Sequence, residues 1–154
     1  MAQELRDENI YFLMGGKGPM FDEVLCEIKN KGLYARILTP GIINTVDALQ
    51  TADVMVLPST LDGRPNAVLE AMASSVPVIA SAVGGLPTII EHEKNGFLVK
   101  PENVDEFVNY ILKLKNTPGL KQQIGIRALE YAQQVLDDKF MLNTYKHTIE
   151  QVLK

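Results

Sequence analysis

The stretch from Ala52 to Ala80, ADVMVLPSTLDGRPNAVLEAMASSVPVIA, constrains the fold of this chain most. Its apolar run Val54 to Leu57 has the length and bounds of a buried strand, and Val76 to Ala80 reads as a second. Between them lie a loop closed by Asp62-Gly63-Arg64-Pro65 and a helix that starts near Asn66. The unit is therefore strand, loop, helix, strand, with an acid on each side of a helix start.

That helix start carries a chemistry of its own. The first turn of a helix leaves backbone N–H groups without partners, so Asn66, Ala67 and Val68 can turn theirs toward an anion, and the helix dipole adds to the attraction. Pro65 suits the position, having no N–H to leave unpaired and a φ already set for helix. Seven residues separate Asp62, in the loop, from Glu70, about one turn inside the helix. An ionised carboxylate only accepts hydrogen bonds, so two of them beside an anion cradle suit a ligand with both phosphate and hydroxyls. A nucleotide sugar has both. Arg64 faces either phosphate or solvent.

The rest of the chain reads as alternating strands and helices. Ile10 to Met14 is a strand and Met20 to Lys29 an amphipathic helix, joined by Gly15-Gly16-Lys17-Gly18-Pro19. This turn is not a dinucleotide fingerprint, since Phe21 stands where the third glycine belongs, and it lacks the GK[ST] of a P-loop. It is either a structural turn or one that also touches ligand. Ala35 to Leu38 forms the next strand, ending in Thr39-Pro40-Gly41, and a helix follows from Asn44, a cap residue, to Thr51. After the central unit come a flexible turn, Ala82 to Pro87, and Asn95-Gly96, a tight turn before a short strand, Phe97 to Val99. Val104 to Lys113 shows the apolar stripe of a helix lying on a sheet, and helices over Leu120 to Leu136 and Phe140 to Leu153 complete the chain.

Composition excludes several classes. The 154 residues suit one domain, 46% hydrophobic and 22% charged, and the net charge of −4 argues against nucleic acid as a partner. The single Cys26 has no internal disulfide partner. No signal peptide is read at the start, and no apolar run approaches the roughly 18 residues of a membrane span. His92 and His147 stand in no metal-ligand spacing, no Asp-x-Asp occurs, and no metal or other cofactor is expected.

The run PSTLDGRPNAVLEAMASSVPVIASAVGGLPTIIEHEKNGFLV resembles the donor-binding core of group 1 (family four) glycosyltransferases, which are retaining enzymes of the GT-B fold. An acid, seven residues, a glutamate, a proline-valine strand, a Gly-Gly-x-Pro turn and an Asn-Gly turn occur here in that family's order, and the likeness runs from about Ile10 to Tyr145. The resemblance implies an α/β, Rossmann-like, mostly parallel sheet with helices on both faces. It assigns catalysis to Asp62 and Glu70, and donor binding to Gly63, Arg64, Asn66, Ala67, Val68, Glu70, Gly84, Gly85, Gly15, Gly16, Thr39 and Pro40, with Leu38 and Ile42 beside the base. The donor, a nucleotide-diphosphate sugar, is the substrate rather than a cofactor. Two departures stand out: aspartate at 62 and Thr88 both occupy places where the family usually has glutamate.

The resemblance also implies what residues 1–154 do not contain. The acceptor-binding amino-terminal domain is absent, and so are the strand and most of the helix that open the donor domain with an arginine and a lysine, Met1 to Asn9 reading as that helix's end. That strand would be the central one, so Ile10 to Met14 and Val54 to Leu57 are expected either to pair directly or to leave a gap. The chain alone is then expected to be nearly inactive, to expose apolar surface through which it could form a homodimer, and to reside in the cytoplasm, in a full-length enzyme peripheral to the inner membrane. A decayed nucleotide-binding module, an interaction domain and an epimerase of the same fold stay open as alternatives.

Overall fold

The computed structural model describes residues 1–61, 63 and 66–136. Among the described residues five short strands alternate with six helices: β1 (Phe12–Gly15), α1 (Phe21–Asn30), β2 (Ile37–Gly41), α2 (Thr45–Thr51), β3 (Met55–Leu57), α3 (Asn66–Ala73), β4 (Val78–Ser81), α4 (Leu86–Ile89), β5 (Phe97–Val99), α5 (Val104–Asn116) and α6 (Leu120–Val135). Every strand pair is parallel. The expected α/β architecture is therefore the observed one, with boundaries displaced by one to three residues at most strand ends and helix ends. The closing helix expected over Phe140 to Leu153, with Tyr145, lies outside the described residues.

Alternation along the strands builds two apolar layers. On β4, Val78 and Ala80 point into a core shared with Val68 and Met72 of α3 and Ala128 and Ala132 of α6, while Ile79 points the other way, toward Phe107 and Ile111 of α5. Leu57 and Met55 join the first layer, Val54 and Val56 the second, as a period of two requires. Both faces of β3-β4-β5 are thus covered by helices, which is why these strands read as unbroken apolar runs.

The strands form two sheets, β1-β2 and β3-β4-β5, rather than one. Of the two expected outcomes, direct pairing of β1 with β3 does not occur. Ile10, Phe12, Val54 and Val56 nevertheless pack on one cluster that includes Leu5, Phe97 and Phe107, so the unpaired edges of β1 and β3 border the same core. Leu5 is 2% exposed there. Its segment was expected as the end of a helix, but it forms turns, with Leu5 N–H bonded to Met1 C=O at 3.0 Å.

Pro40 explains an irregularity in the smaller sheet. Expected just past the strand, Thr39 and Pro40 lie inside β2 instead. The register runs Leu13 to Leu38 and then Gly15 to Gly41, one residue longer on β2, because the ladder must step over a residue with no N–H. The cap expected at Asn44 is present, its Oδ1 accepting from Val46 N–H at 3.0 Å, and Asn103, not expected as a cap, does the same for α5, accepting from Glu106 N–H at 3.2 Å.

Candidate functional site

Those of the residues singled out from the sequence that are described collect at the carboxyl ends of the parallel strands, where open α/β sheets place their ligands. They do so in two groups, one per sheet. Gly15 ends β1 and Gly16 follows it, and Gly16 N–H donates to Gly41 C=O at 2.7 Å, which ties the glycine turn to the end of β2, the strand that holds Thr39 and Pro40. Gly16 needs to be glycine, since its φ is +127°. Gly15 needs to be small, because a Cβ there would lie 2.2 Å from the Ile43 side chain.

In the second group, the loop after β3 leads through Gly63 into α3, and the turn after β4 leads through Gly84 and Gly85 into α4. Gly85 N–H donates to Gly63 C=O at 2.7 Å, which ties the two loops together. Gly84 has φ +53°, a left-handed conformation that glycine adopts without a steric cost. Asp62 and Arg64 lie outside the described residues.

α3 has a buried face and an open one. Val68, Leu69, Ala71 and Met72 are buried, whereas Asn66, Glu70 and Ala73 are exposed and succeed one another at the spacing of a single helical stripe. Asn66, Ala67 and Val68 are the first three residues, whose N–H groups have no acceptor within the helix. Among the described residues none of the three donates to a loop carbonyl or a side chain. Glu70 stands one turn above them, exposed, and its carboxylate meets no described partner in a hydrogen bond or ion pair. Anion-seeking amides and an acceptor-only carboxylate therefore share the first turns of one helix.

Three polar side chains elsewhere in this half are already committed to protein. Thr88, the residue in place of the expected glutamate, donates its hydroxyl to Gly85 C=O at 2.7 Å and so does not reach toward a ligand. His92 Nδ1 accepts from Leu98 N–H at 3.1 Å, and its Nε2 meets the Tyr110 hydroxyl at 3.2 Å. Burial, then the charges of Glu106 and Glu93, pushes the Tyr110 phenol up. Cys26 is an exposed free thiol. Two hollows, of about 200 and 340 Å³, lie away from the α3 start: one by Asp53, Pro77 and Lys121, at the opposite ends of β3 and β4, the other by Thr88, His92 and Tyr131.

The sequence reading missed α4. It took Gly84 to Pro87 as a turn alone, but Leu86 and Ile89 are both fully buried and close one helical turn around Pro87. The available signal was the spacing of those two apolar residues, three apart and directly after the glycines.

Residues 1–131 match the family described as glycosyl transferases group 1. The chain belongs to that family. One relative, an uncharacterized glycosyltransferase of Methanocaldococcus jannaschii, is 33% identical and aligns with 99% of this chain and 41% of its own length. The N-acetyl-alpha-D-glucosaminyl L-malate synthase of Bacillus anthracis is 29% identical over 99% of this chain and 40% of its own length. The crystal structure of Staphylococcus aureus TarM in complex with UDP superposes with a TM-score of 0.84 at 24% identity, over 95% of this chain and 30% of TarM. The fold is thus that of one half of a GT-B glycosyltransferase, and this family member spans about two fifths of the length of these two curated relatives. No helix among the described residues is long and apolar enough to cross a membrane.

Proposed function

We propose that this chain is the donor-binding part of a retaining glycosyltransferase, which moves a sugar from a nucleotide sugar to an acceptor in glycan or polysaccharide synthesis. The observation that carries the reading is the open end of α3, where three first-turn amides and the Glu70 carboxylate stand together at the carboxyl end of β3. The amides of Asn66, Ala67 and Val68 hold the diphosphate, and Glu70 accepts from hydroxyls of the ribose or sugar. Arg64 and Asp62 act from the preceding loop, Arg64 on phosphate and Asp62 on the sugar. Gly15, Gly16, Thr39 and Pro40 border the base, and Gly84 and Gly85 let the donor approach the backbone. No metal or further cofactor is needed when amides and basic side chains balance the leaving diphosphate. Each well-aimed donor to such developing charge contributes about 3 kcal/mol. The UDP held by the TarM structure and the sugar transfer named for the relatives support the choice of ligand class.

The test is calorimetry with UDP, GDP, ADP and their sugars on the chain and on Asn66→Pro. Proline suits the first helical position but removes one amide, so the helix survives while diphosphate affinity falls roughly tenfold, the worth of one charge-assisted hydrogen bond. Glu70→Gln is expected to weaken sugar nucleotides and free nucleoside diphosphates alike if Glu70 holds ribose, and sugar nucleotides alone if it holds the sugar. Unchanged affinity in both variants, or no nucleotide uptake by the parent chain, would remove the basis of the reading.

A further inference from the structure

A helix of four residues cannot hold itself, because nucleation is unfavourable and nearly all its backbone groups lack internal partners. α4 is such a helix, and it stands between the Gly84-Gly85 turn and the rest of the core. Backbone bonds hold part of it, Thr88 N–H to Gly85 C=O at 3.1 Å and Ile90 N–H to Leu86 C=O at 2.9 Å, and side chains take up further groups. The Tyr131 hydroxyl, from α6, donates to Thr88 C=O at 3.1 Å. Thr88 Oγ1 donates in turn to Gly85 C=O at 2.7 Å, and Gly85 N–H donates to Gly63 C=O at 2.7 Å, three residues before α3 begins. At the far end Asn95, 6% exposed, bonds Ile89 C=O at 3.2 Å. α6 also packs directly on α3. It therefore reaches both sides of the junction, α3 through apolar contact and α4 through the shared core cluster and the Tyr131 hydroxyl.

We propose that Thr88 and Tyr131 are positioning residues, which fix the Gly84-Gly85 turn and through it the Gly63 loop that leads into α3. Neither touches the ligand; they set the place of the backbone that does. The functional part of this inference rests on the nucleotide-site reading above, but its structural part does not. Loss of either hydroxyl frees α4 to rock about its buried Leu86 and Ile89, and the Gly85 to Gly63 bond opens more often.

The experiment compares the parent chain with Thr88→Val, Thr88→Ser and Tyr131→Phe by NMR hydrogen exchange, with UDP affinity by calorimetry beside it. In Thr88→Val and Tyr131→Phe the Gly85 amide is expected to exchange about tenfold faster, the weight of one net hydrogen bond, while the core amide of Ile79 keeps its rate. Thr88→Ser, which retains the hydroxyl, restores the parent rate. UDP affinity is expected to fall several-fold in the two loosened variants and to return in the serine one. An unchanged Gly85 rate overturns the relay. A faster Gly85 rate with parent UDP affinity overturns the positioning role. If the parent takes up no UDP, the nucleotide reading fails, and the exchange rates by themselves decide the relay.

Discussion

Replacing Gly125 by alanine tests how tightly α6 is seated beneath the candidate site. Gly125 lies inside α6, where glycine is ordinarily a weakness and alanine gains about 1 kcal/mol. Here the sign reverses. A Cβ at 125 would stand 2.3 Å from Ser75 C=O and 3.0 Å from Ser75 Oγ. The nearest atom is backbone, in a turn where Ser75 already holds φ at +59°, so no side-chain rotation relieves the contact. Either α6 lifts from α3 or the turn before β4 shifts, and overpacking of this kind costs about 1 to 3 kcal/mol, which the helix gain only partly offsets. Gly125→Ala is therefore expected to lower the unfolding free energy by about 1 kcal/mol, and the thermal midpoint by roughly 2 to 4 °C for a chain of this size. Urea unfolding followed by circular dichroism reads it directly. Stabilisation by the helix-propensity amount would show that α6 does not approach Ser75 so closely.

Three other expectations follow from the same geometry. Asn95→Ala leaves the Glu91 N–H and the Ile89 C=O without the partners they now have at 2.7 and 3.2 Å, and should cost about 2 kcal/mol in chemical denaturation. The raised Tyr110 phenol contributes stability that is present below the pKa of the unfolded chain and lost as pH rises through the folded one; melting curves should fall off above about pH 10, with a flatter alkaline limb in Tyr110→Phe. On β1 the amides of Phe12 and Gly16 point to β2, so the alternate amides of Leu13 and Gly15 face the open edge; Leu13 should exchange much faster than Phe12, and equal protection would mean that the edge is covered.

Much of the candidate site was legible because its chemistry is local. The first turn of α3, the glycine at 16 and the cap at Asn44 each depend on a few consecutive residues, and proline, glycine and asparagine declare them. The strand pattern was legible because burial on both faces leaves runs such as Met55-Val56-Leu57 and Val78-Ile79-Ala80. What escaped is non-local. α4 shows a local signal in Leu86 and Ile89, but its tie to α6 runs through Tyr131, 43 residues from Thr88, and no window of sequence contains both. The place of Thr39 and Pro40 inside β2 escaped for a related reason. Proline argues against a strand on local grounds, yet an edge strand tolerates it when that strand carries one extra residue in the ladder, as β2 does.

That tolerance bears on the division of the sheet. β1 and β2 hold each other by a ladder already interrupted at Pro40, and their outward side chains Tyr11, Leu13 and Leu38 are 63%, 48% and 60% exposed. β3 and β4, in contrast, pair in unbroken register with helices on both faces. Local stability follows buried contact, so the β1-β2 half should open well before the half that carries α3. The two groups of candidate ligand residues sit on these unequal halves: Asn66 to Glu70 on the firm one, Gly15, Gly16, Thr39 and Pro40 on the soft one. A diphosphate then meets a site already formed, whereas a base must order the residues it binds. Nucleoside diphosphate binding should accordingly slow exchange at Phe12 and Leu38 while leaving Ile79 unaltered, and inorganic pyrophosphate should leave all three as they are. Equal protection of β1 and β4 in the unliganded chain would contradict the inequality.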